Sequence, residues 1–370
     1  MLAKLPISPH LLAHHSPTVL NAMNQWKSQS RVPPVLLMTG LKGVGKRELV
    51  YHIAQWLLCE KNGLHLALPD EEQETSLFGD MPTTPAQASS QSPEPCQECG
   101  ACKRAVSGNW INFKEITPHE DDADAKNPAL KIEQFRELKK SMGFGAYEGG
   151  YKITLIPEAE RLTVQSANSL LKLLEEPPPG WVFFLTASDP SLLLPTIVSR
   201  CQVLRVKPFS EKALLDILNE SEIPKDRHAV CARLAQGSLG KALALGENEL
   251  WSKRVTFFRF LEKPSSELNG LMDWAVLETE NFDLLLDQLE QLSADLIGWS
   301  MGSPLINTDG KKSLEIHAKA VTLKLGSMAG ARAFWTERAT RLFQIRKEAL
   351  APLNRKLLLQ DILIPFLEVT

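Results

Sequence analysis

No run of apolar residues approaches the roughly 18 needed to cross a bilayer as a helix. The first residues, Met1–Leu12, carry Pro6 and Pro9 where a signal peptide would have an apolar core. Membrane and secreted classes are therefore disfavoured. A basic surplus is missing too: 41 Lys and Arg stand against 44 Asp and Glu, a net charge of −3. A chain that grips a phosphate backbone unaided normally carries such a surplus, so any contact with DNA is a local patch or is shared with partners. Six cysteines in 370 residues are too few for a disulfide scaffold. What is present is ordinary globular composition, 44% hydrophobic and 23% charged. The length suits two or three domains and a core that needs no staples.

The first half alternates short apolar runs with helical patterns. Val35–Thr39, Ile153–Ile156, Val182–Ala187 and Gln202–Val206 read as strands buried on both faces, and Phe113–Thr117 as a weaker one. Between them, Arg47–Cys59 sets Leu49, Val50, Ile53, Trp56 and Leu57 on one helical face. Val164–Glu176 does the same with Ala167, Leu170, Leu171 and Leu174, and stops before Pro177-Pro178-Pro179. Alternation of this kind predicts a parallel α/β sheet. Residues 60–95 interrupt it with five prolines, four serines, seven acids and one aromatic, Phe78. That composition reads as a disordered or loosely packed insertion. After Pro208 strand signals vanish. Ser210-Glu211 opens a run of helices, with breaks expected at Pro224, Gly237, Gly240, Gly246, Pro264, Pro304 and Pro352.

Gly40-Leu41-Lys42-Gly43-Val44-Gly45-Lys46 follows a strand and opens a helix, the context of a phosphate-binding loop. Gly40, Gly43 and Gly45 let backbone amides wrap a phosphate, and Lys46 would reach the outer phosphates. The loop normally ends in Ser or Thr, whose hydroxyl binds Mg²⁺; here that position is Arg47, which has no acceptor oxygen. The strand ending at Ile156 is followed by Pro157, where P-loop ATPases hold Mg²⁺ with an Asp. Glu158 then stands where a water-polarising residue is expected. A further short motif, Ser199-Arg200-Cys201, precedes the last strand. Read alone, Arg200 is an ordinary surface residue.

Cys96, Cys99 and Cys102 place three thiols within seven residues, and Cys59 supplies a fourth at the end of the helix after the loop. Four such thiolates suit a closed, structural zinc site with no open position for catalysis. An iron–sulfur pattern would want a cysteine where Val106 stands. Cys231 reads as core. The eight histidines show no ligand-like spacing, and the eight tryptophans fall at helix-core or strand positions.

The glycine loop, the four cysteines, the run Leu170-Leu171-Lys172-Leu173-Leu174-Glu175-Glu176-Pro177-Pro178, Ser199-Arg200-Cys201 and Gly237-Ser238-Leu239 together resemble the delta-prime family of subunits in the bacterial DNA polymerase III clamp loader, which are AAA+ proteins. The resemblance implies a P-loop (AAA+) α/β domain over 1–208 bearing the zinc module (59–102), a small helical lid domain over 209–247 and an all-α collar over 248–370. It implies a cytoplasmic ring, within the polymerase holoenzyme at replication forks, that opens the sliding clamp and sets it on primed DNA. The partners would be gamma/tau-type ATPase subunits and delta, with no membrane. Arg200 would act as an arginine finger on a neighbour's ATP, with Ser199 and Cys201 positioning it. Arg47, Pro157 and Gly240 depart from the motor subunits' pattern, so no hydrolysis is expected of this chain; bare ATP binding through Gly45 and Lys46 is left open. Two rival readings are an active motor subunit of the same complex and a zinc-bearing nucleic-acid module.

Overall fold

A computed structural model describes residues 17–64, 93–117, 129–142, 150–262, 264–277, 279–348 and 354–369. Most of the 60–95 insertion and the expected break at Pro352 lie outside the described residues. The chain divides into two compact units: Met1–Ala213 with Ser238–Gly240, and Leu214–Gly237 with Lys241–Thr370.

In the first unit, strands β1 (Val35–Thr39), β2 (Phe113–Glu115), β3 (Lys152–Ile156), β4 (Trp181–Ala187) and β5 (Gln202–Arg205) form one sheet in the order β2-β3-β4-β1-β5. Every pairing is parallel. All five residues of β1 are buried, which is why its sequence is a continuous apolar run rather than an alternation. Val35 pairs with Phe183 on one side, and Leu36 with Gln202 on the other. Helices α1 (Pro17–Gln29), α2 (Lys46–Leu57), α3 (Gly100–Val106), α4 (Ile132–Met142), α5 (Val164–Glu175) and the short α6 (Pro195–Val198) complete the unit. One side of the sheet is covered by Phe135, Leu138, Leu170, Leu174 and Ile197. Thr163 caps α5 by accepting from the Ser166 amide at 3.1 Å, and the following prolines end it.

Five expected helix-face residues of α2 are buried as predicted. So is His52, whose Nε2 has no hydrogen-bond partner among the described residues. Burial pulls its pKa down to about 4. The folded chain therefore keeps it neutral while the unfolded chain takes up a proton near pH 6.5. Its contribution to stability is complete above about pH 6.5 and is lost as the pH falls towards 4, an effect of up to about 3 kcal/mol. The urea midpoint should thus depend less steeply on pH between 6.5 and 4 in His52→Leu than in the parent chain; identical slopes would refute this.

Among its described residues the second unit contains helices joined by turns, and no strand. The helix Glu211–Asn219 (α7), whose N-terminus Ser210 caps at 3.2 Å, leads into it. Helices α8 (Lys225–Leu234), α9 (Leu239–Gly246), α10 (Asn248–Glu262), α11 (Pro264–Leu277), α12 (Thr279–Trp299), α13 (Lys311–Lys324), α14 (Met328–Glu348) and α15 (Arg355–Val369) follow. Its core is built around Phe257, Phe260, Phe282, Leu289, Trp335 and Leu359. Arg254 is buried there and forks onto Asp309 at 2.8 Å, with Asn307 at 2.7 Å. No described helix is long and apolar enough to cross a membrane.

The expected parallel α/β sheet followed by helical parts is the one observed. Four local expectations need correction. The strands end earlier, at Glu115 and Arg205. Helix α2 stops at Leu57, so Cys59 lies beyond it. Gly240 does not break a helix but sits in the first turn of α9, because its amide is bonded to Gly43. Trp110 lies between α3 and β2, neither in a helix nor in a strand.

Candidate functional site

Three groups of side chains carry chemistry in the first unit. The glycine loop follows the buried carboxyl end of β1. Gly43 has φ +74°, and a Cβ there would meet Ser238 Oγ at 2.6 Å; a Cβ on Gly40 would meet the Val206 carbonyl at 2.5 Å. Only glycine tolerates both the backbone twist and the approach. Lys46 does not extend from the loop. Its ammonium donates to the loop's own carbonyls, Gly40 at 2.6 Å and Leu41 at 2.9 Å. Burial lowers its pKa, and Glu160 and Glu158 oppose that effect. From the other direction, Ser238 Oγ donates to the Lys42 carbonyl at 2.8 Å, and the Gly240 amide donates to the Gly43 carbonyl at 2.8 Å.

Arg47, at the position of the usual Mg²⁺ hydroxyl, donates to Glu115 at 2.7 Å and to the Tyr51 hydroxyl at 3.1 Å. Tyr51 in turn donates to the same Glu115 oxygen at 2.6 Å. Burial and the Glu115 carboxylate push the Tyr51 phenol up to about 12, so it serves as a donor. Glu158 has a left-handed backbone (φ +46°) and is ion-paired with Arg161 at 2.5 Å. Its amide donates to Thr186 Oγ1 at 3.0 Å. Glu160, which the sequence did not single out, accepts from the Ser188 amide at 3.0 Å and hydroxyl at 2.7 Å.

The four cysteines converge although 36 residues separate the first from the second. The sulfurs of Cys59, Cys96, Cys99 and Cys102 all lie within 4.8 Å of one another. The Cys59–Cys99 and Cys96–Cys102 pairs are 4.0 Å apart. A tetrahedron with metal–sulfur bonds near 2.3 Å has edges of about 3.8 Å, so the donor set fits one zinc ion. Backbone amides point at the sulfurs: Asn62 and Cys96 at Cys59, Cys99 at Cys96, and Cys102 at Cys99, at 3.3–3.4 Å. Such donors favour thiolates over thiols. At Cys96 burial acts upwards, but hydrogen bonds from the Glu98 and Cys99 amides outweigh it and bring the thiol down to about 6.

The third group surrounds Arg200, just past α6. Arg200 Nε donates to Glu175 Oε1 at 2.9 Å, and Nη2 bonds the same oxygen. Nη1 donates to the Thr196 carbonyl at 2.7 Å and meets Ser199 Oγ at 3.3 Å. Cys201 donates its thiol to the Ile197 carbonyl at 3.1 Å, and burial pushes it up to about 12. It is therefore a packing residue and not a thiolate nucleophile. Of Arg200's two sequence neighbours, Ser199 meets the guanidinium and Cys201 bonds Ile197 instead. Arg200's bonds go to Glu175, Thr196 and Ser199 and not to the glycine loop.

The family described as "DNA polymerase III, delta subunit" matches residues 81–210. That span holds three of the four cysteines, the Leu170–Pro178 run and Arg200. DNA polymerase III subunit delta' of Escherichia coli (strain K12) is 29% identical over 265 residues, 71% of this chain and 69% of that one. The subunit of the same name in Bacillus subtilis (strain 168) is 27% identical over 312 residues, 82% of this chain and 84% of its own. The chain is similar to these delta-prime subunits over most of its length. Its likeness to subunit tau/gamma of Haemophilus influenzae is 30% over 295 residues, but spans only 37% of that protein. Tyr51, Glu115, Glu160 and Thr186 all escaped notice in the sequence. Each is identified by a partner distant in the chain, and no local motif marks it.

Proposed function

We propose that this chain is a non-hydrolysing subunit of a replicative clamp loader, and that Arg200 acts on ATP bound by a neighbouring gamma/tau-type subunit. The observation that carries the reading is the state of the glycine loop. Its lysine is bonded to the loop's own carbonyls. The residue at the Mg²⁺-hydroxyl position is an arginine tied to Glu115 and Tyr51. Without that ligand, and with Pro157 at the second, little would neutralise charge developing on a transferred phosphoryl group. The loop then serves as a joint, fixed by Ser238 and Gly240, and not as a nucleotide site. Residues 209–247 are read as a small lid and 248–370 as the collar that joins delta and the ATPase subunits around the clamp and primed DNA.

Zinc is assigned to Cys59, Cys96, Cys99 and Cys102. Bound there, it would supply a structural cross-link holding α3 to the end of α2. The protein's own contribution is the set of backbone amides that donate to the sulfurs of Cys59, Cys96 and Cys99.

The purified chain alone should release phosphate from ATP no faster than buffer, and Lys46→Ala should leave that rate unchanged. Robust turnover that Lys46→Ala abolishes would instead make the chain a motor subunit. Lys46→Ala should also lower stability by about 1–3 kcal/mol, because two loop carbonyls lose their donor.

A further inference from the structure

Glu175 ends α5, where the helix dipole disfavours an anion. Its carboxylate is nevertheless committed to Arg200. Nε and Nη2, the two donors on one edge of the guanidinium, both meet Oε1 of Glu175. Nη1 is held separately by the Thr196 carbonyl. A guanidinium offers five N–H groups in one rigid plane. Glu175 takes one from Nε and one from Nη2, so the plane is fixed from two sides while a second Nη2 hydrogen stays uncommitted. The backbones behind the pair are anchored: Leu173 and Leu174 beside Glu175, and Ile197 ahead of Arg200, belong to the same core.

The two side chains are 32% and 47% exposed, and an ion pair that exposed contributes little to stability. Its effect lies in orientation. An unrestrained arginine loses rotamer freedom when it engages a ligand; here that freedom is already gone.

We propose that Glu175 is a positioning residue for Arg200, gripping one edge of the guanidinium so that the uncommitted Nη2 hydrogen faces the phosphate of a nucleotide in the adjacent subunit. This rests on the trans-acting reading of Arg200.

The test uses the complete loader assembled with the parent chain, Glu175→Gln, Glu175→Asp, Arg200→Ala, or Glu175→Gln with Arg200→Ala. ATP turnover is followed across ATP concentration. Glu175→Gln should lower kcat about five- to tenfold, the scale of one ordinary hydrogen bond, with half-saturating ATP and ring assembly unchanged. Glu175→Asp should recover part of the loss, and also carries the comparison if the glutamine variant fails to assemble. The double variant should be no slower than Arg200→Ala alone. Parental turnover in Glu175→Gln beside an impaired Arg200→Ala would overturn the role of Glu175 and leave the finger standing. Parental turnover in Arg200→Ala would remove both. A rise in turnover in Glu175→Gln, or independent losses in the double variant, would equally overturn the inference.

Discussion

A loader assembled with Arg200→Ala is expected to lose most of its DNA- and clamp-stimulated ATP turnover while this chain stays folded. A finger supplied from a neighbouring subunit accounts for about 10³–10⁵ in rate at a single site. The loss in a ring will fall short of that, since other interfaces keep their own arginines. Folding should be spared because the guanidinium is partly exposed and its ion pair with Glu175 contributes at most about 1 kcal/mol. Arg200→Lys should rescue poorly. An ammonium cannot bond the Thr196 carbonyl, the Glu175 carboxylate and a phosphate together in one plane. The check is phosphate release by reconstituted rings, alongside thermal unfolding of the free chain. Parental turnover by correctly assembled Arg200→Ala rings would dispose of the assignment.

The second large effect concerns the cysteines. Protein purified without added metal should carry one zinc per chain, and Cys99→Ser should carry little or none. Cys99 is also the N-cap of α3, its sulfur accepting from the Cys102 amide. Serine is a better cap than cysteine, so the substitution preserves the helix start and removes only the metal donor. Zinc in small modules is worth about 10–16 kcal/mol of folding free energy. The sheet core here stands on its own, so Cys99→Ser should cost several kcal/mol less than that while still lowering the first unit's unfolding temperature clearly. A chelator should shift the parent chain towards the variant. A parent chain that contains no metal and is equally stable would end the zinc assignment.

What could be read from the sequence divides by the range of the contacts involved. β1, β3 and β4 were legible because burial on both faces writes itself into consecutive residues. The cysteine set was legible because three of its members lie within one short turn-rich segment. The glycine loop was legible because strand, glycines, lysine and helix are contiguous. The contacts of Glu115 and Glu175 were not: an acid in a strand or at a helix end gives no sign that a distant arginine will settle on it. Gly240 shows the same limit from the other side. Its composition suggested a break, but a hydrogen bond to Gly43, nearly two hundred residues earlier, keeps it inside a helix. The ends of β2 and β5 moved inward because apolar sequence continues past the last ladder pair.

The sheet order also has a consequence for how the chain comes to be folded. β1 is made early, yet both its neighbours, β4 and β5, come from residues 181–205. A growing chain that has emerged only as far as β3 therefore holds its most apolar strand with neither edge paired, and native pairing must wait for a long stretch of later sequence. High contact order of this kind slows folding and prolongs exposure of strand edges. The closing step comes later still, when Ser238 and Gly240 return to the glycine loop after the excursion through 214–237. A fragment ending at β5 would complete the sheet but leave that loop without its last two donors.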